Sequence, residues 1–109
     1  MVPSEGNSEG VEDEGGERVT RYASGRRFEW RVKRFLERRG WFVVRSAGSH
    51  GIADLVALRR GCPPMLVQCK ADGRLSPAER EIAGELEHQT GGSFVVAYRL
   101  GRHVMFKAP

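Results

Sequence analysis

Apolar residues recur along this chain in two rhythms, one helical and one of extended strands. Phe28, Val32, Phe35 and Leu36 fall on one stripe at helical spacing, with Ser24 placed as an N-cap and Gly40 as the stop, which predicts a first helix. Trp41-Phe42-Val43-Val44-Arg45 then reads as a strand, residues 46–51 as a loop, and Ile52 to Leu58 as a second strand of largely apolar type. Arg59-Arg60-Gly61-Cys62-Pro63-Pro64 must turn, Met65 to Lys70 forms a third strand, and Ala71-Asp72-Gly73-Arg74 is a loop. Ser76-Pro77-Ala78-Glu79 has the form of a capping box with proline at the first helical position. It opens a second helix that carries Ile82, Ala83 and Leu86 inward and stops at Gly91-Gly92. Ser93 to Arg99 and Val104 to Lys107 are the closing strands, joined by a Leu100-Gly101-Arg102 turn. This order predicts an α/β fold with a mixed central sheet flanked by helices, an αβββαβ core.

Charge sharpens that outline. Residues 1–17 carry six acids (Glu5, Glu9, Glu12, Asp13, Glu14 and Glu17) and no base, leaving 18 basic against 8 acidic residues, a charge of +10, on residues 18–109. A body so basic attracts polyanions, nucleic acid foremost. The opening stretch is rich in Glu, Gly and Ser and poor in large apolar side chains, so it cannot offset the entropy of folding. The expected division is a disordered acidic tail over residues 1–20 and one folded domain over 21–109. No apolar run approaches the roughly 20 residues needed to span a bilayer, and the start lacks the basic-then-apolar order of a signal peptide, so an intracellular, cytoplasmic protein is expected. Cys62 and Cys69 are too few for a disulfide framework or a cysteine-rich zinc site and are expected as reduced thiols.

Three features point to chemistry. Asp54 is a charge inside an otherwise apolar strand, where a carboxylate is expensive to bury unless it meets a cation or a metal. Gln68 and Lys70 stand two apart on the next strand and so share a face, with Cys69 turned to the other. If the strands pair through the turn at Gly61, an acid, an amide oxygen and a lysine gather at one end of the sheet. Oxygen ligands of this kind suit a hard divalent ion, Mg²⁺ or alternatively Mn²⁺, and a lysine beside them suits the stabilisation of charge on a phosphoryl group. On the first helix Glu29 falls at the margin of the apolar stripe, four residues before Lys33, the spacing of a surface ion pair. Arg27, Arg31, Arg34 and Arg38 line a separate face. Trp30 and Trp41 are expected to pack rather than to stack on bases.

Gly25-Arg26-Arg27-Phe28-Glu29, the run from Gly40 through Arg45-Ser46-Ala47-Gly48-Ser49-His50-Gly51 to Asp54 and Leu58, and Val67-Gln68-Cys69-Lys70 resemble the archaeal-type Holliday-junction resolvases of the PD-(D/E)XK nuclease superfamily. The likeness extends over residues 24 to about 98, and the Arg-Ser-Ala-Gly-Ser-His-Gly stretch is its most specific part. It implies a restriction-endonuclease-like fold and a homodimeric, Mg²⁺-dependent endonuclease that makes paired cuts in four-way DNA junctions, in recombination and repair. By the same resemblance Glu29, Asp54 and Gln68 would hold the metal, with Lys70 as the catalytic lysine. Arg45, Ser46 and Ser49 match positions near the scissile phosphate; Arg26, Arg27, Arg31, Arg34 and His50 are further candidate DNA contacts.

Two positions depart from the family pattern. Ala53 stands where the superfamily has proline, a structural position, and Gln68 stands where it has a second acid, which removes one negative charge from the metal site. Two alternatives therefore accompany the resolvase expectation: a nuclease of the same fold with another DNA substrate, nicking or restriction-type, and a branched-DNA binder with weak catalysis. A chain of 109 residues leaves no room for a separate sequence-reading domain, which favours recognition of shape. Neutralising Arg27, Arg31, Arg34 and Arg38 is expected to weaken binding about equally for all DNA sequences and to flatten the slope of log K against log salt. An unchanged slope removes this row from the interface.

Overall fold

The computed structural model of the chain describes residues 21–46 and 52–109. The expected tail of residues 1–20 and positions 47–51, Ser49 and His50 among them, lie outside the described residues. The elements run α1 (Arg21–Arg38), β1 (Phe42–Arg45), β2 (Leu55–Leu58), β3 (Met65–Cys69), α2 (Pro77–Thr90), β4 (Ser93–Leu100) and β5 (His103–Lys107). The five strands form one sheet in the order β1-β2-β3-β4-β5. All neighbours are antiparallel except β3 and β4, which are parallel because α2 carries the chain back across the sheet between them.

The two faces of the sheet are covered by different helices. Phe28, Val32 and Leu36 of α1 bury themselves against Val43, Leu55, Ala57, Val67 and Ala97, and Phe35 packs at the margin of this cluster. On the opposite face Ala83 of α2 meets Leu66, Leu75, Phe94 and Val96, with Leu86 at the edge. The period of two thus sends alternate residues of β3 into opposite cores, Val67 towards α1 and Leu66 towards α2. Ile82, expected inside, is exposed, because α2 lies over the β3–β4 half of the sheet and leaves that flank uncovered. The same offset leaves Phe42, Val44 and Leu58 of the β1–β2 half exposed. Among the described residues no helix is long and apolar enough to cross a membrane.

Several element ends differ from expectation; β1 begins at Phe42, β3 ends at Cys69 and β5 begins at His103, each one residue from the expected end. The first helix begins at Arg21, so Ser24 lies inside it rather than capping it; nothing in Arg21-Tyr22-Ala23 opposes helical geometry. The second strand begins at Leu55 instead of Ile52, since Ile52 and Ala53 bend away to pack on the α2 cluster. The fourth strand runs on through Leu100. The other punctuation holds: Gly40 takes a positive φ of 92° after α1, and Ser76 caps α2 with its box closed from both sides.

The parallel β3–β4 ladder starts where Ser93 N–H donates to the Pro64 carbonyl at 2.9 Å. A Cβ at Gly92 would run into that same carbonyl oxygen. Gly92→Ala is therefore expected to destabilise the fold by about 1–3 kcal/mol in urea unfolding, and a loss below about 0.5 kcal/mol would show that the carbonyl moves freely.

Candidate active site

Asp54 sits just before β2, where three hydrogen bonds fix it between the neighbouring strands. Its carbonyl accepts from Ser46 N–H at 2.9 Å, and its own N–H donates to the Val67 carbonyl at 2.8 Å. Its side chain turns towards β3, where Oδ2 accepts from Cys69 N–H at 2.8 Å. That side-chain bond accounts for the late start of β2, because the carboxylate takes an N–H at the strand end. The carboxyl is raised above its ordinary value. Loss of water is the main cause and Glu29 adds to it, while the Cys69 N–H, Lys70 and Arg45 pull the other way. Glu29, Lys70 and Arg45 are thus all within electrostatic reach of Asp54.

Each partner comes from a different element. Glu29 projects from α1, and its Oε1 accepts from Arg45 Nε, at the end of β1, at 3.2 Å. Lys33 pairs instead with Glu37 at 2.7 Å, so the Glu29–Lys33 pair is not formed. Lys70 follows β3 directly; its N–H donates to the Ala97 carbonyl at 2.9 Å and its Nζ lies 3.2 Å from Glu79 Oε2 on α2. Gln68 stands on β3 two residues before Lys70. The regular register ends where Leu55 pairs with Val67, and Asp54, bonded to that same Val67 carbonyl, stands at the irregular end of the ladder next to Gln68 in the strand order. Gln68 is only 7% exposed, and its Oε1 is buried with no hydrogen-bond partner among the described residues.

A buried amide oxygen without a donor costs about 1–3 kcal/mol, so this orphan acceptor calls for a ligand. Among the described residues no three His, Cys, Asp and Glu side chains gather as a metal cluster. The available set is two carboxylates and an amide, all oxygen donors, and it fits a hard divalent ion in chemistry and in the unspent acceptor of Gln68. Cys69 contributes its backbone only. Its side chain packs with the α1 cluster, and burial with the nearby Asp54 and Glu29 charges pushes its thiol far up, so it is an inert thiol.

The candidate DNA contacts divide. Arg26, Arg27 and Arg34 are exposed along α1. Arg31 is half-buried and donates from Nη2 to the Arg102 carbonyl at 2.9 Å, which fastens α1 to the β4–β5 turn. Ser46 uses its N–H on Asp54. Trp41 packs on the α1 cluster beneath the Arg59 guanidinium, as expected. Trp30 does not pack: it is 43% exposed, with Arg45 at 5.5 Å and Lys33 at 5.2 Å from its ring. Its place next to Glu29 in the sequence was the one available sign that its ring steadies Arg45.

A family model described as archaeal Holliday junction resolvase (Hjc) matches residues 20–107. The crossover junction endodeoxyribonuclease Hjc of Methanocaldococcus jannaschii is 43% identical over 54 residues, 50% of this chain. The match spans only 39% of that curated relative's length. Among solved structures, that of Archaeoglobus fulgidus Hjc, described as a Holliday junction resolvase from an archaeal hyperthermophile, is similar with a TM-score of 0.66 and 27% identity. The similarity covers 78% of this chain and 72% of that one.

Because the folded state raises the Asp54 carboxyl, it holds that proton more tightly than the unfolded chain does. The associated stability is complete below the ordinary value of 3.8 and is lost as pH rises through the folded value. In metal-free buffer Asp54→Asn is therefore expected to raise the thermal midpoint at about pH 7, with the gain shrinking as pH is lowered to about 4. A lower midpoint at neutral pH would mean that the carboxylate is not under desolvation strain.

Proposed function

The chain belongs to the archaeal Holliday junction resolvase family, and from that premise we propose that it is a metal-dependent, structure-specific DNA endonuclease that resolves four-way junctions by paired hydrolysis of phosphodiester bonds. The observation that carries this reading is the half-buried Asp54, one carboxylate oxygen fixed by Cys69 N–H, with Glu29, Lys70 and the orphan Gln68 oxygen brought to the same end of the sheet.

In this reading Glu29, Asp54 and Gln68 hold Mg²⁺, or Mn²⁺ in its stead. When bound, such an ion polarises a phosphoryl oxygen and makes water a better nucleophile near neutral pH. The chain's own groups do the remainder. The Cys69 N–H holds Oδ2 of Asp54 and so leaves Oδ1 for ligation. Lys70 brings a compact positive charge to the phosphate, where negative charge builds in the transition state. Arg45 is the counter-ion of Glu29 in the free protein and a guanidinium suited to a phosphate oxygen. Arg26, Arg27 and Arg34 lie along one helix and suit the tracking of a DNA backbone inside the cell.

Cleavage of a two-fold junction needs two such sites, hence a homodimer. The exposed Phe42, Val44 and Leu58 of the sheet's uncovered half are the surface that a second copy would bury. Gln68 favours a second reading, a junction binder that cuts weakly, because a neutral amide attracts a cation less than the acid it replaces.

A labelled four-way junction and a linear duplex of the same sequence, each with Mg²⁺ and with chelator, test the assignment. Paired cuts are expected in the junction alone and only with metal. Lys70→Ala is expected to slow cutting by about 10²–10³-fold, and Asp54→Ala at least as much. Gln68→Glu is expected to lower the Mg²⁺ concentration needed and to enlarge the rise in thermal midpoint that Mg²⁺ produces. Equal cutting of both substrates would favour another nuclease specificity, and metal-independent binding without cutting would favour the binder.

A further inference from the structure

The capping box of α2 has a second use. Glu79 occupies its third helical position, where Oε1 accepts from the Ser76 backbone N–H at 2.8 Å while Glu79 N–H donates to Ser76 Oγ at 3.1 Å. The other carboxylate oxygen, Oε2, is turned to the sheet and lies 3.2 Å from Lys70 Nζ. We propose that Glu79 is a positioning residue for Lys70, so that the N-terminus of α2 aims the reactive ammonium at the phosphate. The proposal rests on the reading of Lys70 given above.

A partly exposed ion pair ordinarily contributes little, since two long side chains must be ordered to make it. Here one of the two is already ordered. The box holds Glu79 in place for the sake of the helix, so only Lys70 surrenders freedom when the pair forms. The Glu79 carboxyl is held below its usual range, first by the Ser76 N–H and then by Lys70, which fits a carboxylate engaged on both sides. The backbone of Lys70 is equally constrained. Its N–H is bonded to Ala97 of β4, and its carbonyl accepts from Gly73 N–H at 2.7 Å in a tight turn. Gly73 takes a φ of 74°, and this turn returns the chain so that Ser76 and Glu79 come to lie beside Lys70. The lysine is thus held at its root by the sheet and at its tip by the helix, with Asp54 within electrostatic reach.

Glutamine separates this role from capping, because Gln can close the box at the third position but cannot pair as an anion with Lys70. Single-turnover cutting of the junction, junction affinity in chelator and the thermal midpoint are measured for the full chain and for Glu79→Gln, Glu79→Ala, Lys70→Ala and the Lys70→Ala/Glu79→Gln double variant. Glu79→Gln is expected to keep the midpoint and the affinity and to cut about tenfold more slowly, the scale expected of a misaligned reacting group. Glu79→Ala is expected to cut as slowly as Glu79→Gln but to melt several degrees lower, since it also loses half of the box. In the Lys70→Ala background Glu79→Gln is expected to change the rate no further. Wild-type cutting by Glu79→Gln, or the same loss repeated without Lys70, would overturn the positioning role while leaving the site intact. Wild-type cutting by Lys70→Ala would overturn the site reading itself, and the proposal with it.

Discussion

The hydrogen bond from Cys69 N–H to Asp54 Oδ2 is the constraint around which the site is arranged. A carboxylate at a strand end normally turns to water. This one is drawn against the third strand by a backbone donor, which ends the regular pairing of β2 at Leu55 and leaves Asp54 half-buried. The desolvation that follows is unfavourable in isolation, and the surrounding elements supply what offsets it: Arg45 from β1, Lys70 from the end of β3 and the N–H itself. The two cores make this possible by gripping the sheet from both sides, Val67 towards α1 and Leu66 towards α2, so that the strand carrying Gln68 and Lys70 cannot shift its register by one residue.

Much of this was readable in the chain because local signals and burial agreed. The capping box at Ser76, the glycine stop at Gly40 and the period-two strands each placed an element, and the turn after β2 was enough to pair β2 with β3. What was not readable depended on tertiary contacts. No local pattern says that Ile52 and Ala53 leave the sheet, since their apolar character serves a core as well as a strand. Ile82 sits at a helical spacing that fits an inward face, and only the offset of α2 over one half of the sheet exposes it. The i+4 rule joined Glu29 to Lys33, but Arg45, sixteen residues away in sequence, arrives first in space. Glu79 read as a cap alone because a capping box accounts for one carboxylate oxygen and is silent about the other.

Trp30 shows how a departure from expectation can belong to the site. A large aromatic residue beside an apolar stripe is ordinarily core, yet this ring stays partly in water with cations from α1 and β1 near it. An exposed indole costs little when guanidinium and ammonium groups cover its face. It also restricts Arg45, whose Nε is already committed to Glu29, and so narrows the directions in which that guanidinium can meet an anion.

Gln68 poses the sharper question, because an acid there would add ligand strength. At 7% exposure a carboxylate in place of Gln68 would be desolvated, on the strand against which the Asp54 carboxyl is already raised by burial. Burying a further charge without a dedicated partner costs several kcal/mol, whereas a neutral amide with an unsatisfied oxygen costs about 1–3. The amide therefore lowers the electrostatic burden on the fold while keeping an oxygen that, on the proposed reading, would serve as a ligand. Under the same reading the consequence runs through the rest of the site: with less negative charge available to attract a cation, more of its binding would have to come from Asp54 and Glu29. The ion pair that Arg45 makes with Glu29 would then compete directly with ligation, and under the proposed function that competition would give Arg45 a bearing on metal affinity as well as on phosphate contact.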